Sequence, residues 1–192
     1  MELPQIPQPV AVTLSPATTA FLILDIQQSN CPRRPDCIAS LPKMAALLER
    51  ARAAGVLVVY TGRPAEIMPE VSPRAGEPFP TSRGPDKFYD SDLDQILKNR
   101  GVKTLLVVGS SAIAAVMRTT DAATQRGYTV VVAEDGISAD SEFEVFYARY
   151  HVLRGNRANA PLRRARGDAY TNGERHLCRS SIVSFATSIR PV

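Results

Sequence analysis

The stretch Thr19-Ala20-Phe21-Leu22-Ile23-Leu24-Asp25-Ile26-Gln27-Gln28-Ser29 decides the fold. Its apolar part, Thr19 to Ile26, is short and continuous, with no alternation of wet and dry positions, so it reads as a strand buried on both faces. Asp25 stands at the C-terminal end of that strand. Downstream, Leu41, Met44, Ala45, Leu48 and Ala51 recur at helical spacing, with Lys43, Glu49, Arg50 and Arg52 on the other face. An amphipathic helix over 41–54, stopped by Gly55, is expected. Val56 to Tyr60 supplies the second buried strand of a right-handed βαβ unit.

The alternation continues to the C-terminal side. Asp92 to Asn99 reads as a short helix closed by Gly101, and Thr104 to Val108 as a third strand. The turn Gly109-Ser110-Ser111 leads to a helix from about Ala114 to Gln125, followed by a strand from Tyr128 to Ala133. Ser141 to Tyr150 is a further helix, with Ser141 as N-cap and Glu144 in the capping-box position. This pattern predicts an α/β chain: a three-layer α/β/α, Rossmann-like domain with a mostly parallel sheet. Between 63 and 86, six prolines together with Gly76 and Gly84 exclude regular structure, and a loop this long is expected to shape a pocket. Residues 156–172 are polar and arginine-rich without pattern, and Ser181 to Ala186 suggests one more strand. A single domain over 1–192 is expected, with a core of about 17–153 and a basic tail over 154–192.

Composition narrows the function. With 192 residues, 44% of them hydrophobic and 22% charged, the chain can bury a core of its own. The net charge of +4 is concentrated in 154–192, where eight arginines face only Asp168 and Glu174. That tail lacks interleaved aromatics, and no helix-turn-helix or zinc-finger signature is present, so no nucleic-acid partner is expected. No apolar run approaches the ~18 to 20 residues of a membrane span, and the first apolar run meets Asp25 instead of a cleavage site. No membrane partner and a cytoplasmic location follow as expectations. Cys31, Cys37 and Cys178 are an odd number without zinc spacing, accompanied only by His151 and His176. A structural metal, a cofactor and a disulfide framework are therefore not expected.

In open α/β sheets ligands gather at the carboxyl ends of the strands. Three loops meet there, 25–29, 61–63 and 109–115, which makes Asp25 the candidate proton-transfer group. Backbone N–H groups from Ala112 to Ala115, at a helix start, suit an oxyanion or carboxylate. Ser110, Ser111 and Ala112 are candidate substrate contacts in that turn, Gln27 a candidate orienting group, and Arg63 a candidate partner for a substrate carboxylate. Neither histidine is placed by a motif to activate Ser110 or Ser111, which disfavours a serine hydrolase.

The segments Phe21-Leu-Ile-Leu-Asp-Ile-Gln27, Gly84-Pro-Asp-Lys-Phe-Tyr with Asp92-Leu93, and Gly109-Ser-Ser-Ala-Ile-Ala-Ala-Val-Met-Arg-Thr119 through Gly127-Tyr128 resemble the isochorismatase-like, or cysteine hydrolase, superfamily over about residues 17–153. The resemblance implies a Rossmann-like hydrolase acting on a small molecule, commonly as a homo-oligomer (dimer or tetramer). Its amidases use an aspartate, a lysine and a cysteine, and its isochorismatases cleave a vinyl ether without the cysteine. Asp25 takes the aspartate position. The nucleophile position is Ala115, which cannot attack a carbonyl, and the lysine position falls on Ser82, with Lys87 just before Phe88. Lys87 is thus the candidate replacement cation, with a solvated surface lysine as its alternative. A branch of the superfamily sharing the Gly-Pro-Asp-Lys-Phe run and the alanine implies that Ala115 is native. The expected enzyme uses Asp25 acid–base chemistry on an anionic organic molecule. Its rivals are a non-catalytic binding or assembly protein and, if Ala115 replaces a cysteine, an ordinary cysteine amidohydrolase.

Overall fold

The computed structural model describes residues 3–6, 8–154 and 175–186. The arginine-rich run 156–172 of the expected basic tail lies outside these residues. The six-residue run Thr19–Leu24 (β2) is buried at every position, as a run without polar alternation requires. It lies between the edge strand Leu57–Tyr60 (β3) and the central strand Thr104–Ser110 (β4) of a five-stranded, wholly parallel sheet completed by Thr129–Ser138 (β5) and Arg175–Cys178 (β6), in the order β3-β2-β4-β5-β6. Register sets Leu22 beside Val59 on one side and Val107 on the other.

Odd and even positions of each strand feed different layers. Phe21, Ile23, Val58, Leu106 and Val131 pack on Pro35–Ala53 (α1) through Met44, Leu48 and Ala51. Leu22, Leu24, Val59, Val107 and Val132 face the opposite layer of Leu93–Asn99 (α2), Met117–Gln125 (α3) and Glu142–Arg154 (α4). The result is the three-layer α/β/α architecture.

Several boundaries differ from the sequence expectation. Helix α1 begins at Pro35, six residues before Leu41, because Pro35 occupies its first turn, where a missing N–H costs nothing; Pro42 lies inside. Helix α3 is preceded by a π-helical turn, Ala112–Val116. Strand β5 continues past Ala133 to Ser138, with its pairing to β4 shifted between Val107 and Gly109. The suggested strand at Ser181 to Ala186 is Val183–Phe185 (β7), which pairs outside the main sheet with Val12–Leu14 (β1). The capping box is present: Glu144 donates its backbone N–H to the Ser141 hydroxyl, and its carboxylate accepts the Ser141 N–H.

One expectation is overturned outright. Cys31 and Cys37 form a disulfide, their Cα atoms 5.3 Å apart, and only Cys178 is free. A 3-10 turn at Cys31–Arg33 doubles the chain back so that the first turn of α1 returns Cys37 beside Cys31, a local geometry that spacing does not reveal. With a disulfide in place, the cysteines lend no support to the expected cytoplasmic location. Among the described residues no helix is long and apolar enough to cross a membrane.

Candidate active site

The carboxyl ends of three adjacent strands build the site. Asp25 follows β2 with a left-handed backbone, φ 53°, a conformation that costs about 1 kcal/mol for a residue with a side chain and concentrates at functional positions. Its carboxylate is held from two sides. Oδ1 accepts the Thr61 hydroxyl at 2.7 Å, and Oδ2 pairs with the Lys87 ammonium at 2.7 Å. Thr61, the residue after β3, also accepts the Asp25 backbone N–H, and the Asn30 amide caps the Asp25 carbonyl. Thr61 and Asn30 carry no motif and were not legible in the sequence.

Lys87 is buried, so the solvated-surface alternative fails. Its neighbour Phe88 is anchored in the core against Tyr128, ring centroids 5.9 Å apart. The Lys87 backbone N–H donates to the Thr119 hydroxyl of α3, and its Nζ also donates to the Gly84 carbonyl. These anchors turn the side chain inward toward Asp25. Ser82, where the resemblance placed the lysine, lines the same pocket.

Strand β4 delivers the opposite wall. Gly109 is required at its end: a Cβ there would lie 2.7 Å from the Leu24 Cβ and 2.8 Å from the Leu24 carbonyl oxygen. The Ser110-Ser111 peptide is cis. Ser110 is buried and receives hydrogen bonds from the Ser138 hydroxyl and from Arg34. Ser110, Ser111 and Ala115 line a cavity of about 420 Å³ together with Asp25 and Lys87. Ala112 is buried behind that wall, and the Ala114 N–H already donates to the Ser111 carbonyl, which removes it from the expected set of oxyanion donors.

Two expected substrate contacts lie elsewhere. Arg63 is exposed and paired with Glu66. Gln27 is buried beneath Gly62, whose φ of 100° and lack of Cβ leave room for it; it bridges to Ile67 and supports the loop after β3 without lining the cavity. The residue that sequence reading missed is Arg34. It lines the cavity, donating Nη1 to Ser110 and both Nε and Nη2 to Asp140. The charged lining is Asp25, Arg34, Arg83 and Lys87, three cations against one anion, a field that favours an anionic occupant. No thiol lines the cavity: Cys178 is buried on β6, where burial, with Asp135 and Glu134 nearby, pushes it up to about 12. Among the described residues no cluster of three or more metal-ligating side chains occurs.

Comparison with known proteins agrees with this fold. The isochorismatase domain family matches residues 19–155. The secreted isochorismatase effector Isc1 of Verticillium dahliae is 36% identical over 142 residues, 65% of this chain and 75% of the effector. Streptothricin hydrolase of Streptomyces noursei is 32% identical over 143 residues, 66% of this chain and 56% of that enzyme. The crystal structure of a cysteine hydrolase from Pseudomonas syringae pv. phaseolicola superposes with a TM-score of 0.70 at 18% identity, covering 94% of this chain and 95% of the other. The parallel sheet, the strand-end pocket and the extent of these matches place the chain in the isochorismatase family of hydrolases.

Proposed function

We propose that the chain hydrolyses a small anionic vinyl ether of the enolpyruvyl type, using Asp25 for proton transfer and forming no covalent intermediate. The observation that carries this reading is the Asp25–Lys87 pair opening on a cavity whose opposite wall is the methyl group of Ala115, with no thiol in reach. Amide cleavage in this family needs an activated nucleophile, and neither a thiol nor a histidine to activate Ser110 or Ser111 lines this pocket, whereas a vinyl ether needs first only a proton at its terminal carbon. Asp25 enters the step as a carboxylic acid, having taken up a proton from solvent as the anionic substrate binds, and delivers it to the CH₂ carbon, giving an oxocarbenium ion. Lys87 and the Thr61 hydroxyl stabilise the carboxylate left behind. Water adds to the cationic carbon and returns a proton to Asp25. The hemiketal then collapses to an alcohol and a keto acid, with the catalyst restored.

The test is pyruvate release from isochorismate, followed by coupled reduction. The wild type should turn over, and Asp25→Asn should lose about 10²- to 10⁴-fold in kcat with its circular dichroism unchanged. A wild type that releases no pyruvate above the uncatalysed rate overturns the reading. A second reading, a binding protein without turnover, is favoured by Ala115 alone; it treats the Asp25–Lys87 pair as structural. It predicts that Asp25→Asn chiefly destabilises the fold, on the order of 3 kcal/mol for a broken buried pair.

A further inference from the structure

We propose that Arg34, held in the pocket by the Cys31–Cys37 disulfide, is the residue that selects substrates by their anionic end. The inference rests on the Asp25 cavity being the substrate site. Arg34 is buried, with its side chain 9% exposed, and a guanidinium at that depth cannot rely on bulk water to satisfy its donors. Three of its five N–H groups are committed. Nε and Nη2 grip the two oxygens of Asp140 at 2.8 and 3.1 Å, and Nη1 donates to the Ser110 hydroxyl at 3.1 Å. One N–H on each terminal nitrogen is left, on a side chain that lines the cavity. Two remaining donors on a rigid planar group, one on each terminal nitrogen, suit a carboxylate, and a lysine at the same place would offer a point charge without that fixed fork. Asp140, whose side chain is 69% exposed, holds the guanidinium from the solvent side and leaves the cavity side to a ligand.

The backbone around Arg34 explains why it points inward. Arg34 is the N-cap residue of α1, extended at φ −122° and ψ 100°, between the 3-10 turn that starts with Cys31 and the helical turn that contains Cys37. Its N–H donates to the Cys31 carbonyl, and its own carbonyl accepts the N–H groups of Cys37 and Ile38. Both cysteines are fully buried, and their bond closes a loop of which Arg34 is the central residue. Opening the disulfide, by two electrons and two protons from a dithiol that is itself oxidised to a cyclic disulfide, would free this turn from covalent closure and release Arg34 from its register against Ser110. Anion selection is therefore coupled to the oxidised state of the pair.

Benzoate and its neutral analogue benzamide are the probes, titrated calorimetrically against the full chain, so the outcome does not depend on isochorismate being the substrate. Wild type should bind benzoate in preference to benzamide. Arg34→Gln should weaken benzoate about tenfold or more while leaving benzamide unchanged, and Arg34→Lys should recover part of the loss. If turnover is found, the same variants should raise KM more than they lower kcat. Reduction with dithiothreitol, verified on denatured samples by a rise from one to three free thiols per chain and followed by its removal, should weaken benzoate in the wild type but not further in Arg34→Gln; the Cys31→Ser, Cys37→Ser double variant should behave like the reduced protein. Wild type that fails to bind benzoate, Arg34→Gln that binds it unchanged, or a reduced protein with full affinity each overturns the proposal. Failure of pyruvate release with these binding differences intact would instead overturn only the vinyl-ether reading.

Discussion

Arg34 and Arg52 are equally buried, each with a side chain 9% exposed, and they use their donors in opposite ways. Arg52, in the last turn of α1, grips both oxygens of Glu77 at 2.8 Å, donates to Glu49, and reaches the Ser72 carbonyl and the Tyr60 hydroxyl. Every residue it touches belongs to α1, to β3 or to the proline-rich segment after β3, and Glu77 is itself only 13% exposed. Burial pushes the Tyr60 hydroxyl above its ordinary value, so it stays a neutral partner in this network. Arg34 touches two residues, one of them largely in solvent, and turns an unfilled edge to a cavity. A buried guanidinium surrounded by internal acceptors fastens a loop, whereas one left partly unfilled beside a pocket is a binding group.

The sharpest way to break this contrast is to remove Arg52. Arg52→Met strands Glu77 as a poorly solvated charge, and unfolding in urea should show a loss on the order of 3 kcal/mol. The folded fraction should still bind benzoate with wild-type affinity; a stable Arg52→Met protein would mean that the fastening comes from elsewhere in the loop. A smaller effect is expected on the other side. Asp140→Asn removes an exposed, solvent-screened partner, so its urea midpoint should move far less than that of Arg52→Met.

The smallest effect is in the pH dependence of that pair. The hydrogen bond from Arg34 holds the Asp140 carboxyl below its ordinary value. A depressed folded value means that the pair's contribution is complete above the ordinary aspartate pKa of about 3.9 and drains away as pH falls through the folded value. The difference between wild type and Asp140→Asn seen at neutral pH should therefore shrink as the pH falls below the ordinary aspartate value, a comparison that cancels the acid sensitivity of the other carboxylates.

The same contrast marks what the sequence could and could not disclose. Strands such as Thr19–Leu24 are legible because a parallel sheet covered on both faces demands uninterrupted apolar residues. Asp25 is legible because strand ends are where such sheets bind ligands. Strand β6 was missed because Arg175–Cys178 is four residues long, begins with a charge and follows a patternless run. Lys87 was only half legible: its motif was visible, but the inward turn comes from Phe88 packing on Tyr128 and from Thr119, thirty-two residues away. Arg34 was not legible at all, since its partner Asp140 is 106 residues distant and its orientation depends on a disulfide that an odd cysteine count argued against.

The strand order carries one more consequence. Asp25, Thr61 and Ser110 stand at the ends of β2, β3 and β4, which are direct neighbours in the sheet. Their separation is inherited from the interstrand repeat of about 4.8 Å, which no loop can alter. Substrate preference, by contrast, is written in parts that hang from the sheet: the Arg34 turn and the Ser82 to Gly84 segment. Descent with modification can rewrite those appendages and change the diet of the enzyme while the proton-handling machinery stays in place, an economy available only because the two jobs are carried by different tiers of the architecture.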